Sequence, residues 1–322
     1  MTDVNVLLFE LSHHDRLEIL RQLSQTPMIL TRLAEELSLT VQETSRHLSR
    51  MEKVGLTEKD VEGLHHASRY GRLVLGQLPA LEFSYQNRDY LNSHTLDGLP
   101  RELASRIGEL RETTLVDDIV LGFNNVGRVV QEAKEYVLSI TDQYVVSQTP
   151  YFQQTLERGV HMKNIDAPFS VTPAQVPREY RDPDFTRTVT DARKDGRLEE
   201  RFLTPLGAYI FMSEREVAML AFPLADGRFD YIGFASQSES THSWCKDLFQ
   251  TLWAQATPRG DFLDQHQKWL VATPGAADAL RELVRGGKPE SRIHKLLEDR
   301  GFAVRNQVTF LGRVIHLRLF GD

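Results

Sequence analysis

The stretch that decides the fold is Ser38–Asp60, "SLTVQETSRHLSRMEKVGLTEKD". Thr40 and Glu43 form a T-x-x-E capping box, which predicts a helix that begins just after Thr40 and runs through Met51. Gly55 supplies the stop signal after it. The helical spacing predicts an inward stripe, which consists of Thr44, His47, Leu48 and Met51.

Two shorter helices are predicted before this stretch, and a β-hairpin is predicted after it. Ser12 is a candidate N-cap for a helix with leucines at helical spacing, and Pro27 separates that helix from the next, "ILTRLAEELSL". The runs "LTEKD" and "LHHAS" flank the turn "VEG" and are typical of a hairpin. Three helices followed by a hairpin are the arrangement of a winged helix-turn-helix.

In that arrangement the third helix enters the major groove of DNA by its N-terminal half. The outward residue types suit this role, since Arg pairs with guanine edges, Gln pairs with adenine, and Ser reaches phosphates. A helical bundle with a solvated basic face is the alternative interpretation. His47 is ambiguous between a phosphate contact and a buried imidazole. The predicted outward face comprises Gln42, Glu43, Ser45, Arg46, Ser49 and Arg50.

From Asp118 onward the pattern changes to alternating strands and helices. "EYVLSIT" and "VHMKNI" flank the helix "YFQQTLERG" and predict two parallel strands, and four short extended runs follow before the helix "SWCKDLFQTLWAQA". Ligands of such open sheets lie beyond the carboxyl ends of the strands. Residues at those ends are Thr141, Asp142, Gln143, Asn164, Asp166, Ser213 and Ser236. The proline-rich stretch between Asn164 and Gly196 is either a lid or a surface excursion.

Two further segments bear on assembly. A helix is predicted from about Arg69 past Phe83, and its leucines exceed what one small domain can cover, so a second copy of the chain is expected to cover them. Residues 276–322 predict two short helices around "RGGKP" and a hairpin between "FAVRNQVTF" and "RVIHLRLF". The order "ESRIHKLLEDRG" plus hairpin parallels "TSRHLSRMEKVG" plus its wing. A degenerate second winged module and a dimerisation extension are both compatible with this order.

Composition limits the classes of function. The 322 residues suffice for two or three domains, and Cys245 is the single cysteine, which excludes a disulfide framework and a multi-thiolate metal cluster. Residues 1–80 hold 9 Lys/Arg and 11 Asp/Glu, residues 81–266 hold 19 and 28, and residues 267–322 hold 10 and 6. The net charge is −7, so any phosphate-binding surface must be local. With no signal segment and no long apolar run, a cytoplasmic protein without membrane association is expected.

The stretch "LTVQETSRHLSRMEKVGLTEKDVEGLHHASRYG" resembles the arsenic-repressor-type winged helix of archaeal regulators. "GELRETTLVDDIV", "FDYIGFAS" and "HSWCKDLFQTLW" resemble the middle domain of the methanogenesis regulatory protein family. The resemblance covers roughly residues 5–256 and implies a DNA-binding transcription regulator with a phospholipase-D-like sensory domain. The residues that it implies at the DNA interface are Gln42, Thr44, Ser45, Arg46 and Arg50, with His65 and His66 on the wing, to which the ambiguous His47 is added.

Catalysis and metal binding are not expected. Active members of the phospholipase-like fold carry His-x-Lys and, after four intervening residues, an aspartate, but here His161 and Lys163 are followed by Pro168 at that position. His13 and His14 are adjacent and point to different sides of a helix, so no metal site and no cofactor are predicted. A small-molecule effector is expected to bind in the middle domain and alter dimer geometry, with Asp142, Gln143, Ser236 and His242 as pocket residues.

The sequence therefore predicts a mixed α+β or α/β multidomain protein that binds double-stranded DNA as a homodimer at a palindromic operator. Its expected parts are a winged helix-turn-helix (1–80), a helical linker (81–117), a phospholipase-D-like α/β effector domain (118–266) and a small basic α+β extension (267–322). A regulator that uses its winged helix only for protein contacts is the alternative, and a phosphodiesterase is a weaker one.

Overall fold

The computed structural model describes residues 3–143, 148–168 and 183–321. They divide into two compact units, Met1–Gln86 and Asn87–Asp322. The division into four parts stays a prediction. The elements of the first unit are α1 (Val4–Leu11), α2 (His14–Gln25), α3 (Leu30–Glu36), α4 (Val41–Lys53), β1 (Thr57–Lys59), β2 (His65–Ala67), α5 (Arg69–Leu75) and α6 (Leu78–Gln86).

The first unit confirms the predicted helices and hairpin. Thr40 and Glu43 make the reciprocal bonds of the capping box, which fixes the start of α4. β1 and β2 are antiparallel, with Glu58 opposite His66. A buried apolar cluster holds the helices against the hairpin and includes Ile19, Leu20, Leu23, Leu33, Leu48, Met51, Leu56 and Ala67. Burial of this many aliphatic side chains is the main stabilising contribution in a unit of this size.

The single helix predicted from Arg69 past Phe83 is wrong, because the chain breaks into α5 and α6 at Gly76. Gly76 is the C-cap of α5, and the low helix propensity of glycine favours a break there. Phe83 is fully buried, whereas Leu73 and Leu81 remain 64% and 59% exposed. This apolar surface is therefore only partly covered within the described residues.

The second unit contains an eight-stranded mixed sheet flanked by helices. The sheet order is β10-β6-β5-β4-β7-β8-β9-β3, in which β4, β5 and β6 are parallel and the other neighbours are antiparallel. Its elements up to β10 are α7 (Arg88–Ser93), α8 (Arg101–Ser105), the 3-10 helix Ile107–Leu110, β3 (Thr114–Val116), α9 (Ile119–Glu132), β4 (Tyr136–Thr141), α10 (Thr149–Glu157), β5 (His161–Asp166), α11 (Pro183–Lys194), β6 (Leu198–Phe202), β7 (Tyr209–Ser213), β8 (Val217–Ala221), β9 (Gly233–Ser236), α12 (Glu239–Gln255) and β10 (Thr257–Pro258).

The parallel pairing of the first two long strands is confirmed, with Val137 beside Met162 and Ile140 beside Ile165. Every residue of β7 and β8 is buried, as expected for strands covered on both faces. α9 packs against β7 and β8, and α12 packs against β4 and β8. Part of the proline-rich stretch predicted as a lid or excursion, residues 169–182, lies outside the described residues. Across the described residues, no helix combines the length and hydrophobicity needed to cross a bilayer.

The C-terminal part contains a helix where the sequence predicted the second strand of a hairpin. Thr309 caps this helix, since its side chain accepts a hydrogen bond from the backbone N–H of Gly312 at 3.2 Å, and Leu311 and Ile315 lie one turn apart in the core. The β-branched and apolar run "RVIHLRLF" favoured strand, but the cap and the one-turn spacing favour helix. The elements here are α13 (Arg259–Ala272), α14 (Ala276–Val284), α15 (Ser291–Asp299), β11 (Ala303–Val304), β12 (Gln307–Val308) and α16 (Phe310–Phe320).

Candidate functional site

The outer face of α4 is the candidate nucleic-acid interface. Gln42, Ser45, Arg46 and Ser49 are exposed on this face. Arg46 makes no hydrogen bond and no ion pair within the part of the chain that the structure describes. Its guanidinium is therefore free to meet a phosphate or a guanine edge.

Arg50, by contrast, is held by an acidic residue of α1. Its Nη2 and Nε donate to Glu10 Oε1 and Oε2 at 2.6 and 3.1 Å, and Arg16 Nε lies 2.9 Å from the same carboxylate. The hydrogen bond from Arg50 is the main reason that the pKa of Glu10 is held below its usual range. Sequence reasoning missed this pairing because the two residues are 40 positions apart. Of the two arginines predicted to contact DNA from α4, Arg46 and Arg50, the charge of Arg50 is therefore already compensated by Glu10.

Three residues assigned to the DNA interface are buried, so their assignment is wrong. Thr44 is fully buried and its hydroxyl donates to Thr40 O at 3.0 Å. His47 lies on the same stripe and is 4% exposed, and His65 is buried 3.2 Å from Glu52. The physical reason is the one-turn spacing of α4, which turns Thr44 and His47 toward the core together with its leucine and methionine. His66, half-buried beside Glu58, stays on the wing.

His47 also belongs to the group that could hold a metal ion in the described residues. His13, Asp15 and His47 each offer one ligand atom, and these three atoms lie within 4.8 Å of one another. Asp15 Oδ2 is 3.7 Å from His13 Nδ1 and 3.7 Å from His47 Nε2. Burial lowers the pKa of His47, which favours the neutral imidazole that metals bind. No sequence pattern marked this group, since His47 joins the other two only through the fold.

A cavity of about 190 Å³ opens beyond the carboxyl ends of β4 and β5. Its position agrees with the rule for open α/β sheets. Five of the seven predicted strand-end residues line it, namely Thr141, Asp142, Gln143, Asn164 and Asp166. Lining residues that the sequence did not indicate include Gln148, Phe152, Phe185, Val189, Arg193, Glu200, Phe211 and Phe310. Most of these come from elements that follow the parallel strands in sequence, and no local pattern marked them.

Burial changes the ionisation of two carboxyl groups in the cavity. Burial, reinforced by the neighbouring Glu200 carboxylate, raises the pKa of Asp166 to about 8. Asp142 also has a raised pKa because of burial, although Tyr231 donates a hydrogen bond to it at 3.1 Å. Arg193 is paired with Glu200, with Nη2 to Oε1 at 2.9 Å. At neutral pH the cavity thus presents a protonated carboxyl group and a compensated ion pair among apolar walls.

Two of the four predicted pocket residues, Ser236 and His242, do not line this cavity. Ser236 donates to Glu112 O at 2.8 Å, and His242 Nε2 bonds Ser213 O at 2.8 Å. The reason is the strand order, which places β7 and β8 between β4 and β9. Gln143 and Asp142, in contrast, lie side by side on the cavity wall, where both bond the Tyr231 hydroxyl.

The His-x-Lys pair that was compared with the phospholipase motif lies elsewhere on β5. His161 is exposed at the start of the strand, and Lys163 Nζ is 2.9 Å from Glu199. Pro168, at the position expected for the aspartate, follows the strand. The structure therefore does not bring His161 and Lys163 into the cavity.

Comparison with known proteins bears on the N-terminal unit. Residues 11–60 match the helix-turn-helix domain family. This match confirms the prediction for α2 to β1, and the finer resemblance to arsenic-repressor-type and methanogenesis regulatory proteins stays a prediction. No curated relative matches the chain.

Among solved structures, the chain is similar to TrmBL2, an archaeal chromatin protein described as showing a novel mode of DNA binding. The identity is 16%, the match covers 80% of this chain and 99% of that chain, and the TM-score is 0.34. It is also similar to NucT from Helicobacter pylori (11% identity, 45% and 96% covered, TM-score 0.33). Nuc from Salmonella typhimurium, a phospholipase D family member, matches at 10% identity, with 41% and 87% covered and a TM-score of 0.29.

Proposed function

We propose that this protein is a DNA-binding transcription regulator that acts as a homodimer on a palindromic operator and responds to a small molecule through its α/β unit. The observation that carries the proposal is the exposed face of a capped α4 inside a matched helix-turn-helix domain. Gln42, Ser45 and Arg46 on that face are the side-chain types that read base edges and hold phosphates. No hydrolysis of phosphodiesters is included in the proposal.

The dimer is supported by apolar surface in the first unit. In α1, Val4 and Phe9 are exposed, and in α5 and α6 the same holds for Leu73, Leu81 and Tyr85. Exposed apolar patches mark association sites in soluble proteins, and these side chains are the candidates for such a patch. A second copy that covers it would also supply the second recognition helix, which must lie about 34 Å from the first to reach successive major grooves.

The effector role is supported by the cavity beyond β4 and β5. Its volume suits a small metabolite, and its polar groups are few and convergent, as in ligand sites. The neutral carboxyl group of Asp166 donates a hydrogen bond, so an acceptor on the ligand is favoured near it. The ligand shifts the regulator only if it binds one dimer arrangement more tightly than the other.

A second candidate function is a protein-binding winged helix. The pairing of Arg50 with Glu10 favours it, because this pairing reduces the positive charge that α4 can offer to a polyanion. Residues 1–80 also carry more acidic than basic side chains. The two candidates differ in how binding to duplex DNA depends on Arg46.

The test is to measure binding of the full chain to its genomic DNA fragments, with Arg46→Ala and the matched control Arg69→Ala, an exposed arginine at the start of α5. We expect Arg46→Ala to weaken binding about 10-fold or more and to reduce the dependence of affinity on salt, since a phosphate or guanine contact is lost. The control is expected to bind as the wild type does. Equal binding by both variants, with intact folds, would refute the proposed interface and favour the protein-binding candidate.

A further inference from the structure

The C-terminal elements repeat the order of the first unit. Helices α13, α14 and α15 are followed by the two-stranded hairpin β11–β12 and by α16, just as α2, α3 and α4 are followed by β1–β2 and α5. Both hairpins are antiparallel two-stranded sheets of their own. The two segments also share their hydrogen bonds at equivalent points, which is a closer similarity than a shared order of elements.

In the first unit, a glycine turn follows α4, and the Ser68 hydroxyl after the hairpin bonds both this turn and the start of α5. We call this bridging hydroxyl a latch. Gly55 has φ of +77°, and the backbone N–H of Leu56 donates to Met51 O at 2.9 Å. After the hairpin, Ser68 N donates to Leu56 O at 3.0 Å, its hydroxyl donates to Gly55 O at 2.6 Å, and the same hydroxyl accepts from Gly71 N at 2.9 Å. A Cβ on Gly71 would lie 2.1 Å from Leu56 O, so only glycine permits this approach.

The C-terminal part reproduces every one of these contacts. Gly301 has φ of +75°, and Phe302 N donates to Leu297 O at 2.9 Å. Thr309 N donates to Phe302 O at 3.0 Å, its hydroxyl donates to Gly301 O at 2.6 Å, and it accepts from Gly312 N at 3.2 Å. A Cβ on Gly312 would lie 2.3 Å from Phe302 O. A glycine turn, a hydroxyl latch and a close helix crossing thus recur together at equivalent points of the two segments.

The two segments also align in sequence at the turn. Ser291 and Arg292 precede Gly301 by the same number of residues as Ser45 and Arg46 precede Gly55. At the position of Ser49 the C-terminal copy has Lys295. The equivalent of the outward face of α4 is therefore the face of α15 that carries these residues.

This face of α15 is exposed and basic. Ser291, Arg292 and Lys295 are exposed, and Lys288 is exposed in the turn before the helix. The wing is tied to the helix, because His294 Nε2 bonds Arg305 O at 2.5 Å and so fixes the loop that carries the exposed Arg305. In contrast with α4, whose Arg50 is compensated by Glu10, neither Arg292 nor Lys295 has an ion-pair partner within the described residues. Residues 267–322 hold 10 basic and 6 acidic residues, the only basic balance in the chain.

The module also has its own apolar core. Side chains from α13 to α16 form one buried cluster, to which Phe202 of β6 is added. The cluster includes Leu263, Leu270, Leu280, Leu283, Leu297, Phe302, Leu311 and Ile315. A module held together by its own cluster leaves the outer face of α15 available to a partner.

We propose that residues 259–320 are a second winged-helix module that binds duplex DNA through Arg292 and Lys295 of α15 and Arg305 of its wing. Double-stranded DNA is the partner that fits, because the exposed charge is positive, uncompensated and placed where the first module presents its recognition face. The proposal goes beyond the function proposed above, since one chain would then contact DNA at two places. It does not depend on α4 being a DNA reader.

The test uses the full chain in a four-way comparison of wild type, Arg46→Ala, the pair Arg292→Ala with Lys295→Ala, and all three substitutions together. Lys268→Ala is the matched control, because Lys268 is exposed on α13, which is not the recognition-equivalent helix. Affinity for genomic duplex fragments is measured against salt concentration, and circular dichroism checks the fold. The substituted side chains are exposed, so the fold is expected to remain intact.

We expect the α15 pair to reduce the slope of log affinity against log salt by about 2, since each phosphate contact contributes about 0.9. At 0.15 M salt this corresponds to a loss of about 10- to 30-fold. The same loss is expected in the Arg46→Ala background. If the α15 pair binds DNA like Lys268→Ala in both backgrounds, or if the wild type binds no duplex, the proposal is wrong. Loss through the α15 pair with none through Arg46→Ala would support this module and overturn the α4 interface instead.

Discussion

Replacing Asp166 by asparagine tests whether this carboxyl group in the candidate ligand cavity is protonated at neutral pH. Asp166 ends β5 and lies half-buried in the cavity wall, where burial raises its pKa to about 8. Glu200 raises it as well, while Arg259 and Arg193 act in the opposite direction. Asparagine keeps the shape of the side chain and cannot ionise, so the substitution removes only the titration.

The sign of the effect follows from proton linkage. The folded state holds the proton more tightly than the unfolded chain, where the pKa is near 3.8. The contribution of Asp166 to stability is therefore complete below about pH 4 and is lost as the pH rises through about 8. The difference between a pKa of about 8 and one of 3.8 corresponds to at most about 6 kcal/mol, and solvent screening at this half-buried carboxyl group reduces this to roughly 2–4 kcal/mol.

Tryptophan fluorescence during urea unfolding provides the assay, because Trp244, Trp253 and Trp269 all lie in the second unit and are the only tryptophans of the chain. From pH 5 to pH 9 the free energy of unfolding of Asp166→Asn is expected to rise by roughly 2–4 kcal/mol relative to wild type. Asp226→Asn is the control, since Asp226 is exposed and paired with Arg228, and its difference from wild type is expected to stay small. A difference between Asp166→Asn and wild type that does not change with pH would refute the argument.

Three further predictions concern the first unit. Gly71→Ala is expected to destabilise it by about 3 kcal/mol, measured by thermal unfolding, because the new Cβ meets a backbone carbonyl; an unchanged midpoint would contradict the close approach. Leu73→Asp with Leu81→Asp is expected to dissociate the proposed homodimer into monomers in light scattering, and a species of unchanged dimeric mass would exclude this surface. Glu10→Gln is expected to free Arg50 and steepen the salt dependence of DNA binding by about 0.9, whereas a shallower dependence would count against Arg50 as a DNA contact.

Local signals predicted the helices and strands of this chain well. The capping box at Thr40 and Glu43 depends on two residues only three positions apart, so a local pattern was enough to predict it. The pairing of β4 with β5 was also accessible, since a short strand-helix-strand unit permits almost only the parallel arrangement. The start of α16 was also accessible from the sequence, because Thr309-x-x-Gly312 has the same form as Ser68-x-x-Gly71 at the start of α5.

Long-range pairing explains what the sequence could not show. Ser236 ends a strand as Thr141 does, and only the order of the strands in the sheet separates them. Arg50 and Arg46 have the same side chain on the same helix, but Glu10 reaches one and not the other. Each of these depends on residues far apart in sequence.

Phe310 links two features described above. It is the first residue of α16, directly after the Thr309 latch, and its ring both lines the cavity and packs against the apolar cluster of the C-terminal module. A molecule that fills the cavity consequently rests against the interior of that module rather than against a distant wall. If the proposed effector binds in this cavity, the Phe310 ring is the side chain through which it would contact the core that supports α15.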